Sequence, residues 1–337
     1  MGVDHDLTRR HWIEASRGLR KELREAIPQG DLKAVHRKRP WRHFRTAGRQ
    51  LVLLVVCSWG LWHFTHPLIW VPLAVVQGLT FFNGTVLLHE VLHHLVWRSP
   101  RPRAERALAA VYAFFTGISP TQFTRWHLDH HASLGSSVED PKRRHLSPKK
   151  NSRLVKLLYF TPALFPIYFA AAAKENATYP DEVRQRITSE RSWAIALHLA
   201  VAATLYGLGG AGVMLRVHIL PLLLAFPPWF AINRLGQHYW IDPRDPARWG
   251  TLVKGSPGWD FLFLWSNYHL EHHYFPGVPF YNLRRLQQLL EPFYEAHGMH
   301  PVGYGALLWR WLFLNRPPHA EWSRADAAEK EEALPGI

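Results

Sequence analysis

Twenty-two of the 337 residues are histidines, and nine of these fall into three short stretches. His89-Glu90-Val91-Leu92-His93-His94 sets two rings one helical turn apart with a third beside them. His127-Leu128-Asp129-His130-His131 and Asn267-Tyr268-His269-Leu270-Glu271-His272-His273 each carry rings at i, i+3 and i+4. On a helix those offsets share one face, so the rings of a stretch can point at a common centre. Imidazole suits iron, zinc, copper and nickel, whereas crowded imidazoles without a metal repel one another once protonated. Three clusters from distant parts of the chain predict a metal centre assembled by folding. A hydrogen-bonded polar core or a pH sensor is the plainer reading, and it suits the thirteen scattered histidines better than these nine.

The elements that must position the rings follow from where the charge lies. A formal net charge of +14 would ordinarily point to nucleic acid or an anionic membrane surface. Residues 1–50 hold thirteen Lys or Arg, residues 51–88 hold no Asp, Glu, Lys or Arg, and residues 192–233 hold only Arg216 of these four types. Such blocks describe a membrane protein with basic flanks and exclude a nucleic-acid-binding domain. A bilayer core about 30 Å thick needs ~20 apolar residues per helix. Spans are therefore expected at about 45–64, 68–88, 193–209 and 213–235. They form two hairpins, broken at Thr65-His66-Pro67 and at Gly207, Gly209, Gly210 and Gly212. Both turns lack Lys and Arg, so the positive-inside rule places every basic segment, the three histidine stretches and both termini in the cytoplasm. The expected fold is an all-α integral membrane protein with four transmembrane helices in two hairpins and a cytoplasmic helical cap holding the histidine-rich site. A cytoplasmic N-terminal segment (1–40) would precede the membrane domain (41–300), and a cytoplasmic tail (301–337) would follow it.

Smaller features complete the pass. An amphipathic helix is expected around Asp6–Ile27, and the basic, aromatic run Arg37–Arg45 reads as an interfacial anchor. Ala107–Ile118 is too short to span. Leu154–Ala173, broken by Pro162 and Pro166, reads as a half-buried surface helix, and Leu283–His297 as an amphipathic one. His238 stands beyond the fourth expected span, where His93 stands beyond the second, which makes it a tenth candidate. Cys57 is the only cysteine, so no disulfide or iron–sulfur cluster can form within the chain, and any electrons must come from another protein. The basic N-terminus has no apolar core of the kind a secretory signal carries.

With these residues in view, the chain resembles the membrane fatty-acid desaturases, a family marked by three histidine boxes. HxxxH matches His89 and His93, the first HxxHH matches His127, His130 and His131, and the second matches His269, His272 and His273. The Tyr274-Phe275-Pro276 and Val278-Pro279 that follow resemble bacterial and acyl-lipid members, and the likeness spans roughly residues 50–290. The resemblance implies two iron ions held almost entirely by histidine, O2 as co-substrate, and a ninth imidazole after the last span, a role that His238 fits. It also implies an asparagine one turn earlier acting through water. Asn233, five residues before His238 rather than four, is the residue nearest that place. A lipid acyl chain would be the substrate, and a separate ferredoxin or cytochrome b5 the electron donor.

Metal-bound imidazoles need acceptors for their other ring nitrogens. Glu90, Asp129, Glu271, Asp140 and Asp260 are the carboxylates close to the boxes, and His94 is a further candidate to support them. Trp59, Trp62, Phe81, Phe82 and Trp229 are expected to frame an acyl tunnel. Three rival readings remain at this level, the plainest being a non-enzymatic membrane scaffold or metal sensor. His89-Glu90-Val91-Leu92-His93 is also HExxH, the pattern of zinc proteases, although that reading leaves six or seven histidines idle. A hydroxylase or ketolase of the same superfamily would share the metals and differ only in the outcome.

Overall fold

The computed structural model describes residues 11–136, 139–148, 150–242 and 244–317; the first residues of the expected Asp6–Ile27 helix and the tail beyond 317 lie outside the described residues. Among the described residues the chain is helical, with no named strand, and Val253 and Val302 form an isolated parallel bridge.

Three short helices open it: α1 (His11–Ala15), α2 (Arg17–Glu25) and α3 (Gln29–Val35). Leu23, Ile27 and Val35 are buried in the main apolar core, and Trp12 packs on Trp249 with ring centroids 5.7 Å apart. The stretch before residue 40, expected as a separate lead-in, thus shares the core of the rest.

Helix α4 (Pro40–His63) and helix α5 (Pro67–Leu92) each begin with proline at the first helical position, where the missing N–H costs nothing. They fold back on each other as the sequence predicts. Ser58 Oγ donates to Gln77 Oε1 at 3.2 Å, Asn83 Nδ2 donates to Gln50 Oε1 at 3.1 Å, and Gly60 lies against Leu73, leaving no room for a Cβ.

The second hairpin lies within Asp181–His238. Helix α10 (Asp181–Met214) reverses at Gly210, whose φ of +74° favours glycine. The reversal is visible in the contact of His198 Nδ1 with His218 Nε2 at 3.1 Å, because twenty residues of straight helix would separate them by about 30 Å. Two turns of π geometry, Leu215–Ile219 and Pro221–Ala225, lead into α11 (Phe226–His238). Pro221, Pro227 and Pro228 lack the N–H groups that a regular ladder needs there.

Pro67–Leu92 and Asp181–His238 are the stretches long and apolar enough to cross a membrane. Helix α4 has the length, but Arg42, Arg45 and Arg49 occupy its first half. Its second half turns Leu51, Val52, Val55 and Trp59 outward, each more than half exposed, as are Trp193, Ile195, Leu199 and Leu208 on α10.

The remaining helices cluster at the end of α5 and α11: α6 (Pro102–Phe114), α7 (Pro120–Ala132), α8 (Arg153–Leu158), α9 (Leu164–Asn176), α12 (Pro257–Phe263), α13 (His269–Tyr274), α14 (Phe280–Leu289), α15 (Glu291–Ala296) and α16 (Tyr304–Leu308). The single helix expected over Leu283–His297 is two helices, divided at Leu290. Pro292 cannot continue the hydrogen-bond ladder of α14.

Candidate metal centre

Four helices deliver the rings. Helix α5 ends at His89 and His93, α7 carries His127, His130 and His131, α11 ends at His238, and α13 carries His269, His272 and His273. The sequence predicts rings sharing a face within each stretch. The structure adds that the stretches interleave. One group consists of His89, His93, His127, His131 and His272, the other of His130, His238, His269 and His273, and within each group the facing nitrogens lie within 4.8 Å of one another. The second and third boxes each contribute to both groups. The groups adjoin, since the His131 and His273 ring centroids are 4.3 Å apart.

The nitrogen contacts decide what such a cluster can be. In the first group His93 Nε2 and His127 Nε2 are 2.9 Å apart, and His131 Nε2 and His272 Nε2 are 3.0 Å apart. In the second, His238 Nε2 lies 3.0 Å from both His130 Nε2 and His269 Nε2. Protons can be assigned at two of these rings. His238 Nδ1 lies 2.9 Å from the Trp249 carbonyl oxygen, which can only accept, so Nδ1 carries the hydrogen. His130 Nδ1 donates to Asp140 Oδ1 at 2.8 Å, an oxygen that already accepts from the Lys142 backbone N–H at 3.0 Å. In their neutral forms both rings therefore present a bare lone pair at Nε2, and the two lone pairs face each other. Protonation does not resolve the conflict, because burial holds the His130 imidazole well below its ordinary range. A cation between them does. The donor set fits a metal on this ground, and an all-nitrogen set of neutral imidazoles suits a transition ion.

The other ring nitrogens are held unevenly. Besides Asp140 and the Trp249 carbonyl, Lys142 Nζ lies 3.0 Å from His127 Nδ1, and burial drives this amine well below the usual lysine range. The expected carboxylates mostly do other work. Glu90 accepts from the Phe280 N–H at 3.0 Å and stays 3.8 Å from His89 Nδ1, beyond a hydrogen bond. Glu271 accepts from Tyr294 Oη at 2.8 Å and Gln287 Nε2 at 2.7 Å, and burial raises its carboxyl to about 7. Asp129 accepts from Tyr179 Oη, and Asp260 from Asn267 and Arg284. Glu90, Glu271 and Asp260 thus brace the segments around α13 rather than orient a ring. His94 is turned away at the end of α5, with φ +55°, and bonds Glu105 at 2.9 Å on an exposed surface. Asn233 lies on the cavity wall, where its Nδ2 donates to Ser266 Oγ at 2.9 Å and its Oδ1 accepts from Gln237. Lys142 and the Trp249 carbonyl were not foreseen. Lys142 is one of three consecutive basic residues opening the short turn Lys142–Leu146, so nothing in the sequence singles it out, and a backbone oxygen carries no local pattern.

Two cavities flank the cluster. The first, about 100 Å³, touches His89, His127, His269 and His272 and is walled chiefly by Phe82, Phe165, Phe226 and Phe280. The second, about 110 Å³, touches His130 and His238. Of the expected tunnel aromatics only Phe82 lines the first cavity. Trp59 faces outward, Trp62 packs with the Leu61 cluster, Phe81 stacks on Phe115, and Trp229 lies against Phe263. The cavity sits higher than those positions, at the histidine-bearing end, and borrows a wall from α9.

An all-helical chain that converges nine buried or half-buried imidazoles from four helices, beside an apolar cavity, defines a histidine-built site suited to a metal. The sequence profile of the family described as fatty acid desaturase matches residues 65–305, and the chain belongs to that family. It is 24% identical over 310 residues to a sphingolipid delta(4)-desaturase/C4-monooxygenase of Bos taurus, covering 87% of each chain. It is 24% identical over 321 residues to a temperature-sensitive sn-2 acyl-lipid omega-3 desaturase (ferredoxin) of Arabidopsis thaliana, covering 85% of this chain and 70% of that one. The family and these likenesses support an oxidoreductase of lipid desaturation or a related modification.

Proposed function

We propose that the protein is an integral membrane, O2-dependent di-iron desaturase that introduces a double bond into a lipid acyl chain. The observation that carries this reading is the pair of opposed lone pairs on His130 and His238, set within two groups of rings whose facing nitrogens lie within 4.8 Å of one another. His89, His93, His127, His131 and His272 would hold one iron, and His130, His238, His269 and His273 the other. When bound, the pair supplies activation of O2, with two electrons from an external donor of ferredoxin or cytochrome b5 type. The balance is –CH2–CH2– plus O2, two electrons and two protons, giving –CH=CH– and two waters.

The chain's own residues do the rest. Asp140 and the Trp249 carbonyl fix the tautomers of His130 and His238, so that Nε2 faces inward without rotation. The aromatic walls of the first cavity hold hydrocarbon against His89 and His272 and exclude water. The membrane placement we propose is four spans near 45–64, 68–88, 193–209 and 213–235, with the centre and both termini cytoplasmic. The outward apolar faces of α4 and α10 support it, and so does the absence of Lys and Arg at both turns.

Expression in a host of simple lipid composition, followed by mass spectrometry of its fatty acids, tests the reading. New double bonds support desaturation, new hydroxyls shift the assignment to hydroxylation, and unchanged lipids with iron-loaded, reduced protein refute both. Metal analysis separates two irons per chain from the single zinc a protease would carry.

A further inference from the structure

Between the two cavities stands a wall made by Phe230, Arg234 and Lys142, each of which lines both. Phe230, Arg234 and His238 follow at intervals of four on α11, so they share one face of that helix. Arg234 is the one guanidinium lining the first cavity, a largely aromatic and aliphatic space beside the rings whose other charged lining groups, besides the histidines, are Lys142 and Glu90. Arginine stays protonated and carries five N–H donors. Among the described residues, the hydrogen bond that Arg234 makes is to Gln237 Oε1 on its own helix.

That bond is the end of a directed chain. Gln237 Nε2 donates to Asn233 Oδ1 at 2.8 Å, Asn233 Nδ2 donates to Ser266 Oγ at 2.9 Å, and Ser266 Oγ donates to the Phe263 carbonyl at 2.7 Å. The chain fixes Gln237 with its oxygen toward Arg234, and leaves the outer N–H groups of the guanidinium for the cavity. Asp140, the carboxylate lining the second cavity, accepts instead from His130 and the backbone of Lys142 and Arg143. Glu90, the carboxylate lining the first cavity, accepts from the Phe280 N–H, and Asp140 acts on Arg234 as a nearby charge rather than as a hydrogen-bond acceptor. A guanidinium with spare donors in a largely apolar cavity at the end of a candidate span marks a ligand path.

We propose that Arg234 is the anchor for the oxygen-bearing head of the lipid substrate, a carboxylate or acyl carbonyl, with the hydrocarbon lying along the aromatic wall of the first cavity. This deepens the desaturase reading and rests on it. Hydrogen bonds to a charged group are worth about 1.5–3 kcal/mol, so the head group should improve binding roughly tenfold to a hundredfold over the bare hydrocarbon.

The test uses the purified full chain in detergent, as wild type, Arg234→Leu and Arg234→Lys. Binding of palmitate, methyl palmitate and hexadecane is measured by displacement of a bromine-labelled fatty acid that quenches tryptophan. The wild type should prefer palmitate, or palmitate and its ester together, to hexadecane by at least the tenfold expected. Preference for the acid alone identifies a carboxylate, and preference for both identifies the carbonyl. Arg234→Leu should lose the preference while holding hexadecane and metal as the wild type does, and Arg234→Lys should keep part of it. The inference is overturned if the wild type binds hexadecane as well as palmitate, in which case the guanidinium is satisfied by water. It is also overturned if Arg234→Leu keeps the preference, or loses all three ligands equally. Wild-type protein that binds none of the three refutes the lipid-substrate reading itself, a result distinct from the others.

Discussion

Removal of the Asp140 carboxylate should empty one half of the centre before the other. Asp140 is buried, accepts from His130 Nδ1 at 2.8 Å, and caps the turn that follows by accepting from the backbone N–H groups of Lys142 and Arg143 at 3.0 and 3.4 Å. Without that acceptor, the His130 ring is free to swap tautomers and rotate, and it belongs to the group with four nitrogens rather than five. Groups that orient metal-bound histidines typically contribute 10- to 100-fold in affinity, about 1.4–2.7 kcal/mol. Asp140→Ala should therefore weaken one metal by roughly that factor, whereas Asp140→Asn, which keeps a neutral acceptor, should weaken it about tenfold or less. Iron titration against a competing chelator, followed by elemental analysis, reads this directly. The expected result is two metals per chain in the wild type and a window of chelator concentration in which Asp140→Ala retains about one. If Asp140→Ala holds both metals as tightly as the wild type, or loses both together, the assignment of Asp140 to one group of rings is wrong.

Three further outcomes are expected. His94→Ala should leave metal content and lipid products unchanged, because that ring bonds Glu105 on the surface, whereas His238→Ala should abolish the product and lower the metal content. Gly135→Ala should lower the thermal midpoint, because Gly135 sits at φ +91° and a Cβ there would run into the Trp249 ring, whose own backbone carbonyl holds His238; strain of this kind costs about 1–3 kcal/mol. Metal-free protein should lose stability as pH falls below about 6.5. Burial lowers His127, His130, His131, His269, His272 and His273 on folding, and His93 to about 3. Between the lowered and the ordinary values the unfolded chain binds protons that the folded chain does not. The loss therefore grows with acid, by up to about 1.4 kcal/mol per pH unit for each ring involved. Thermal melts of chelator-treated and iron-loaded protein from pH 7.5 to 5.5 check it, and a metal-free protein equally stable at both ends would refute it.

The rings and the helices that carry them were legible because both announce themselves through period. Offsets of three and four residues identify a helical face, and a gap of thirty-eight residues without Asp, Glu, Lys or Arg identifies a buried or lipid-facing run. Pairing across boxes was not legible. Whether His130 turns toward His131 or toward His238 depends on how α7 crosses α11, and no local pattern encodes a crossing angle. His94 misled for the same reason in reverse. It sits beside two ligand candidates in sequence, but the backbone leaves the helix at His94, and a φ of +55° sends its ring to Glu105. The cavity wall was hidden by proline. Pro162 and Pro166 made Leu154–Ala173 look peripheral, yet Pro162 lies in the break between α8 and α9 and Pro166 in the first turn of α9, where Leu164 and Phe165 line the cavity.

The cluster also constrains any membrane arrangement. Helix α5 ends at His89 and His93, and α11 ends at His238, so both helices finish at one shared locus. Each is preceded by a helix that folds back on it, at His66 in the first case and at Gly210 in the second. In the topology we propose, each hairpin crosses as a pair. That topology keeps the rings on one face and both turns on the other, with the basic segments beside the rings making the ring-bearing face the cytoplasmic one.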